Sequence, residues 1–394
     1  MARFKFNDDN VLASLDFGSS SIRCTVSYKK NQDLEFLSFY EKKCKGLEGG
    51  KIVDFQELTS VAADVLENSE KLSNTFFSEV VLGFSTPFRS FQSHGMAALP
   101  SREVTKKDRD LAIQTACAVP VPYQHLLLHH HPQDFIVDGK RGIINPIGFS
   151  GLRLEVEVYI LTIAQFYLQD VTKVLRSLGV KPRAFVNNLF SFGMHLTHFS
   201  QKKEGVCLCD IGHKSSRLIT YHQGKILDMC EIPIGGEHFS LALAQKFQIS
   251  PRSAEKLKER WGNLETSSID EEKQVEMTEG EGMFFSYKLF ADTLEQVAKV
   301  LFQKIKENMD LKQIEDKINI GYVFTGSTSL LKGFLDMAKN NLGKPVSYPY
   351  EVSLKENNLH QKNTFAIAQQ YYLKDEFLSK DLSASRWFGL KDLF

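Results

Sequence analysis

The stretch "CDIGHKSSRLITYHQGK", residues 209–225, gathers the residue types that can grip a phosphate. An apolar strand ends on Asp210 and Gly212 opens a turn. His213, Lys214 and the hydroxyls of Ser215 and Ser216 follow, and a second strand runs to a turn at Gly224. A phosphate needs several N–H donors converging on one small volume, and a tight turn between strands supplies them as a nest of successive amides. Small residues let the phosphate approach the backbone. A neighbouring carboxylate can hold the water shell of Mg²⁺, which keeps most of its waters when bound. The same order stands earlier in "VLASLDFGSSSIRCTVSY", as apolar strand, Asp16, Gly18, Ser19 and Ser20, and second strand. Two such hairpins facing each other would clamp a polyphosphate, with Asp16 and Asp210 as the candidate Mg²⁺ carboxylates.

A third glycine turn, "TGSTSLLKG" at 325–333, ends a strand at Gly326 and Ser327 and opens a helix. Its backbone can take a phosphate or pack against a base. Glu255 and Lys258 are spaced i, i+3 on one helix face, so both can reach a ribose. The plainer alternative for them is an exposed ion pair worth about 0.2–0.5 kcal/mol. Each piece alone is weak, and Asp-x-Gly-Ser is usually only a turn. The order of all four pieces carries the signal.

Around these pieces the periodicity places a mixed sheet of hairpins with crossover helices, occurring twice, as an internal repeat of fold. Strands are expected at Val11–Leu15, Ile22–Tyr28 and Leu34–Tyr40. A helix is expected over 55–70, with Leu58, Val61, Ala62, Val65 and Leu66 on one side. Residues 84–162 read as an inserted subdomain with Thr105 as a helix N-cap. A helix follows over 165–182 and ends near Gly179. Gly235-Gly236 opens "EHFSLALAQKFQI", and Ser250 with Pro251 opens the next helix. Residues 263–286 are acidic and poorly periodic, and a long helix follows them.

Lys+Arg and Asp+Glu are both 48, so the formal net charge is zero, which argues against a general nucleic-acid partner. The N-terminus lacks the apolar region of a signal peptide, and no run reaches the ~18 apolar residues of a membrane span. The 6 cysteines lie mostly in apolar segments and read as buried thiols of a reduced cytosolic protein. Cys207 and Cys209 share one strand face without a second pair at metal spacing. The histidines at 129–131 alternate faces in a strand and read as packing.

The order of the phosphate pieces resembles the actin-like ATPase superfamily. The insertion narrows it, because "GFSTPFRSFQSHGMAAL", "REVTKKDRD", "NPIGFSGLRLEVEVYI" and "IPIGGEHFSLALAQKF" look like the FtsA family of bacterial division proteins. The resemblance implies an α/β, actin-like fold of two lobes with duplicated cores. Subdomain 1A would be 1–83 and 163–190, the inserted subdomain 1C 84–162, subdomain 2A 191–235 and 320–375, and subdomain 2B 236–319. Residues 376–394 would be a linker and tail. It implies ATP with Mg²⁺ bound between the lobes, and actin-like polymerisation. It also implies tethering of the tubulin-like FtsZ through its C-terminal tail, recruitment of later division proteins through 84–162, and a peripheral place on the cytoplasmic face of the inner membrane at the division site. The first phosphate loop maps onto Asp16, Gly18, Ser19 and Ser20, and the second onto Asp210 and Gly212 through Ser216. Sugar and base contacts map onto Gly236, Glu255, Lys258, Gly326 and Ser327.

Two departures stand out. The second loop of the family usually reads Asp-Ile-Gly-Gly-Gly-Thr, then Thr or Met, then Asp. Here His213, Lys214, Ser215, Ser216 and Arg217 occupy the later positions. If those glycine sites need positive φ, the side chains cost on the order of 1 kcal/mol. Lys214 can offset this as a cation near the phosphates. Related ATPases often place an acid about where Asn187 stands, and Asn cannot act as a general base. The expectation is therefore ATP held as a structural ligand with weak or absent hydrolysis, the alternative being a loop that is architecture only.

The chain ends "SASRWFGLKDLF". As a helix this places Trp387, Leu390, Leu393 and Phe394 on one side with Phe388 at its flank, and Arg386 and Lys391 among the polar residues. That composition suits an interfacial anchor, and equally a helix docked on its own domain. The resemblance favours membrane lipid, with polymerisation supplying avidity. The rivals are an active ATPase or sugar kinase of the same superfamily and an actin-fold adaptor of the PilM type.

Overall fold

We describe a computed structural model of the chain at residues 10–30, 33–48, 51–276, 284–349 and 358–372. It divides into two units, one of residues up to His195 with the stretch from Gln361, the other of Leu196–His360.

The first unit begins with β1 (Val11–Phe17), β2 (Ser21–Lys30) and β3 (Asp33–Lys43). A short pair, β4 (Leu47–Glu48) and β5 (Lys51–Ile52), leads into α1 (Phe55–Ser73) and β6 (Glu79–Phe84). All seven residues of β1 are buried, as expected of a strand with neighbours on both sides. β3 is mostly exposed or half-buried and carries charge, which suits a sheet edge. Asp54 caps α1 by accepting from Glu57 N, and the helix buries the expected stripe of Leu58, Val61, Ala62, Val65 and Leu66.

The insertion follows as β7 (Phe88–Ala98), α2 (Lys106–Cys117), β8 (His125–Val137), β9 (Lys140–Ile143) and β10 (Arg153–Ala164). Its four strands form a separate sheet in the order β7-β10-β8-β9. Val104, Ile113, Leu127, Phe135, Val156 and Ile160 belong to its own core. Thr105 and Asp108 close a reciprocal capping box at the start of α2. The chain then forms α3 (Gln165–Ser177), β11 (Lys181–Asn187) and α4 (Asn188–His195). His129 and His131 both lie against Phe190, and His129 Nε2 accepts from Asn187 N at 3.0 Å.

The second unit runs α5 (Phe199–Glu204), β12 (Val206–Ile211), β13 (Ser216–His222), β14 (Lys225–Ile232), α6 (Gly236–Phe247) and α7 (Pro251–Trp261). β15 (Gln274–Glu276), β16 (Phe284–Ser286), α8 (Tyr287–Leu311), β17 (Gly321–Thr325), α9 (Phe334–Leu342) and β18 (Val346–Ser347) complete it. Ser250 caps α7 with Pro251 in its first turn. Phe239, Leu243, Phe290, Leu294, Leu301, Phe302, Phe324 and Phe334 centre its core.

The repeat is explicit in the sheets. The first orders its strands β3-β2-β1-β6-β11 and the second β14-β13-β12-β17-β18. In both, the opening three strands are antiparallel and the last two run parallel to the first. A last helix, α10 (Asn358–Tyr372), corrects the expected boundary. Residues from Gln361 belong to the first unit and not to the second lobe. Thr364 O accepts from Ser14 Oγ at 2.9 Å, Tyr371 accepts from Arg183 Nε at 2.8 Å, and Gln370 meets His195 Nε2 at 3.0 Å. The first unit likewise extends to His195, five residues past the expected limit at 190.

Candidate phosphate-binding hairpins

The turn between β1 and β2 and the turn between β12 and β13 have one geometry. Gly18 N donates to Ser21 O at 3.1 Å, and Gly212 N donates to Ser215 O at 3.1 Å. A Cβ on either glycine would stand 2.8 Å from that serine oxygen, so the tight closure requires glycine at both places. The amides of Ser19 and Ser20, and those of His213 and Lys214, have no acceptor among the described residues. Each turn thus offers consecutive N–H groups to an anion. Neither His213 nor Lys214 has positive φ, so the expected strain from the missing glycines is not there.

The charged residues around the turns repeat as well. Asp16 stands in register opposite Arg23, and Arg23 opposite Glu41. Asp210 stands opposite Arg217, and Arg217 opposite Glu231. Arg23 Nη1 is 3.2 Å from Asp16 Oδ2, and its Nε is 3.0 Å from Glu41 Oε1. Arg217 Nη2 is 3.1 Å from Glu231 Oε1. Sequence reasoning gave neither arginine a part in a site. The signal was present, since each lies seven residues after its aspartate.

Asp16 is 4% exposed. Its Oδ1 accepts from Asn188 Nδ2 at 2.6 Å while Oδ2 faces Arg23. Burial pushes its carboxyl above the ordinary range, with Arg23 and Asn188 opposing the rise incompletely. A hydrated Mg²⁺ needs an accessible anionic oxygen. Asp16 does not fit that role, because both oxygens are engaged inside the protein. Asp210 is buried too. The second loop spends its hydroxyls internally, Ser215 on Glu231 and Ser216 on Ile234 O at 2.6 Å. Of the phosphate donors expected there, the backbone amides and the Lys214 ammonium, 4.0 Å from Glu237, are what remain.

Gly236, Glu255, Lys258 and Gly326 converge on this turn or on the end of β12 beside it. The first amides of α6 support it, since Gly236 N donates to Gly212 O at 2.9 Å and Glu237 N to His213 O at 2.7 Å. Lys258 Nζ donates to Gly236 O at 2.7 Å and pairs with Glu255 Oε2 at 2.8 Å. Lys258 is 6% exposed, so the surface-pair alternative does not hold. Burial draws the Glu255 carboxyl upward, but Lys258 and Ser240 outweigh it and hold it low. Burial also lowers the His213 imidazole, with Glu255, Glu237, Lys258 and Lys214 around it. Gly326, at φ +90°, packs on the Ile211 backbone at the end of β12. Ser327 Oγ lies 3.1 Å from His360 Nε2. Gly235 and Thr328 also belong to this cluster, and the sequence had not singled them out as contacts.

In the first unit, Asn187 Oδ1 accepts from Phe190 N at 3.0 Å. Asn187 is therefore the N-cap of α4. The residues expected at a membrane, Trp387, Phe388, Leu390, Leu393 and Phe394, lie outside the described residues. Among the described residues, no helix is long and apolar enough to cross a membrane.

Comparison with known proteins adds a second line of observation. A family model for the SHS2 domain inserted in FtsA matches residues 86–162, and one for cell division protein FtsA matches residues 207–368. The chain is 25% identical to cell division protein FtsA of Pseudomonas aeruginosa over 357 residues, covering 87% of this chain and 84% of that protein. It is 26% identical to FtsA of Neisseria meningitidis over 347 residues, covering 85% and 82%. It is 23% identical to FtsA of Escherichia coli over 348 residues, covering 85% and 83%. Among solved structures, the PilM-PilN type IV pilus biogenesis complex is similar at TM-score 0.63 and 17% identity, covering 92% of this chain and 98% of that one. MreB5 of Spiroplasma citri bound to ADP is similar at TM-score 0.51 and 12% identity, covering 93% and 99%. These likenesses establish the fold as actin-like.

Proposed function

The chain belongs to the FtsA family of cell division proteins, and from that premise we propose that it is an ATP-binding membrane tether of the division ring. The observation that carries the reading is the pair of hairpin turns with matching geometry and open amides. They supply phosphate donors in each unit, and Gly236, Glu255, Lys258, Gly326 and Ser327 gather at the second one to take the sugar and base. The ADP-bound MreB5 of similar fold supports a nucleotide as the ligand. Hydrolysis is weak or absent, since Asn187 is a helix cap and offers no base.

The remaining parts of the reading follow the family. The protein polymerises with itself, binds the FtsZ tail through the region 236–319, and recruits later division proteins through the inserted sheet. Trp387, Phe388, Leu390, Leu393 and Phe394 insert into the cytoplasmic leaflet of the inner membrane as a peripheral anchor. Sedimentation with vesicles of bacterial lipid tests this. The full chain carries FtsZ into the vesicle pellet, and a chain lacking residues 383–394 leaves it in the supernatant. Unchanged vesicle binding by the shortened chain would sink the tether and favour a PilM-like adaptor.

A further inference from the structure

His213 is the one residue of the two turns whose type changes charge near neutral pH. Its own N–H is one of the open amides of the second turn, so its imidazole stands close to any anion held there. Its carbonyl accepts from Glu237 N at 2.7 Å, which pins the residue against the start of α6. The half-buried ring faces Lys214 of the turn, Glu237 of α6, and Glu255 and Lys258 of α7. These four charges cancel, and they pair among themselves: Lys258 Nζ lies 2.8 Å from Glu255 Oε2 and Lys214 Nζ 4.0 Å from Glu237 Oε2. On the strand side of the turn stand Asp210, Arg217 and Glu231, two carboxylates and one guanidinium. His238, in the first turn of α6, accepts from Gly235 N through Nδ1 at 3.2 Å. With the imidazoles neutral, the surroundings of the turn therefore carry one negative charge in excess, and one proton on His213 cancels it. All of these groups lie in the second unit.

We infer that His213 takes up a proton when a phosphate group settles on the amides of His213 and Lys214, so that the second turn holds phosphate more tightly as the pH falls from 8 to 6. The direction follows from the charges. Burial holds the imidazole below its ordinary range, so the empty turn carries it neutral at pH 7. An anion on the turn favours the charged ring and moves its titration upward. The coupling is reciprocal, so whatever the anion adds to proton affinity the proton adds to anion affinity. His238 is the other histidine beside the turn, and it acts in the opposite sense. Its Nδ1 is already engaged as an acceptor, and a proton there would break the bond from Gly235 N that supports the turn against α6.

This inference rests on the reading of the second turn as a phosphate site, and its test separates the two. ATP is titrated calorimetrically into the full chain and into His213→Asn, each at pH 6, 7 and 8. The variant keeps the turn amides and cannot titrate. ATP itself exchanges a proton in this range, so the contrast between the two proteins is what reads His213. The ratio of wild-type to variant affinity should rise at least threefold from pH 8 to pH 6. A smaller rise, with both proteins binding, overturns the inference and leaves the ATP reading standing. No binding by the wild type at any of the three pH values overturns both. Should the variant fail to fold or to bind, the ring-proton resonance of His213 in the wild type decides, followed against pH with and without saturating ATP. Its midpoint should move up by half a pH unit or more in the complex, and a midpoint that moves less, or moves down, overturns the inference.

Discussion

Replacing Gly235 with alanine should damage both stability and ligand binding, although Gly235 has an ordinary extended backbone at φ −146°. Any residue can adopt that conformation, so the whole cost comes from close approach. The added Cβ would stand 2.5 Å from His213 O, 2.6 Å from Gly212 O and 2.7 Å from Ser215 N. All three are backbone atoms of the second hairpin turn, and none can rotate away. Overpacking of this kind costs about 1–3 kcal/mol. Moving the turn also strains the bonds from Gly236 N and Glu237 N, each worth about 1 kcal/mol. A total near 3 kcal/mol lowers the melting temperature of a unit of this size by about 6–12 °C. ATP affinity should fall at least tenfold, because the displaced turn carries the open amides. Gly179→Ala is the control. Its φ of +73° costs about 1 kcal/mol, but no atom lies within 4 Å of the new Cβ. That variant should bind ATP normally. Thermal unfolding and calorimetry on both variants read the contrast. A Gly235→Ala chain within 0.5 kcal/mol of wild type, with unchanged ATP affinity, would refute the placement of the turn against α6.

Lys202 is 8% exposed, and burial lowers its ammonium to about 8 from 10.5. Between those values the unfolded chain holds a proton that the folded chain does not, so stability should rise with pH across that window. Below about pH 8 both states are protonated and the penalty of the buried charge is fully present. Lys202→Met should therefore stabilise the second unit at pH 7 by up to ~3 kcal/mol and flatten its stability between pH 8 and 10.5, measured by urea unfolding. A variant no more stable than wild type at pH 7 would show the charge to be well solvated. Asn187→Ala should cost about 1 kcal/mol through the lost cap of α4. It should leave ATP turnover as low as in wild type, and a change in turnover would assign Asn187 a part in hydrolysis.

Much of the site was legible because its signals are local. Asp-x-Gly with hydroxyls between two apolar strands marked both hairpins, the 3.6 spacing marked α1, and Ser250-Pro251 marked α7. What escaped depends on register and on distant partners. Arg23 and Arg217 gain their meaning only when the strands place them opposite Asp16 and Asp210. Ser215 and Ser216 read as phosphate ligands until β14 brings Glu231, and the chain just past it Ile234, to them. The strain expected at His213 and Lys214 assumed a left-handed turn, whereas this turn closes through one close-packed glycine. α10 buries Asn363, Thr364, Ala366 and Ala368 as well as Ile367, so its inner face carries little of the hydrophobic contrast that marks a helix in sequence.

The most direct test is a calorimetric titration of the full chain with ATP, repeated on Gly212→Ala. That substitution sets a Cβ 2.8 Å from Ser215 O and forces open the turn that carries the amides. Micromolar or tighter binding in the wild type, lost in the variant, is the expected result. No heat from the wild type, and no nucleotide released when it is denatured, would mean that the paired turns are architecture alone.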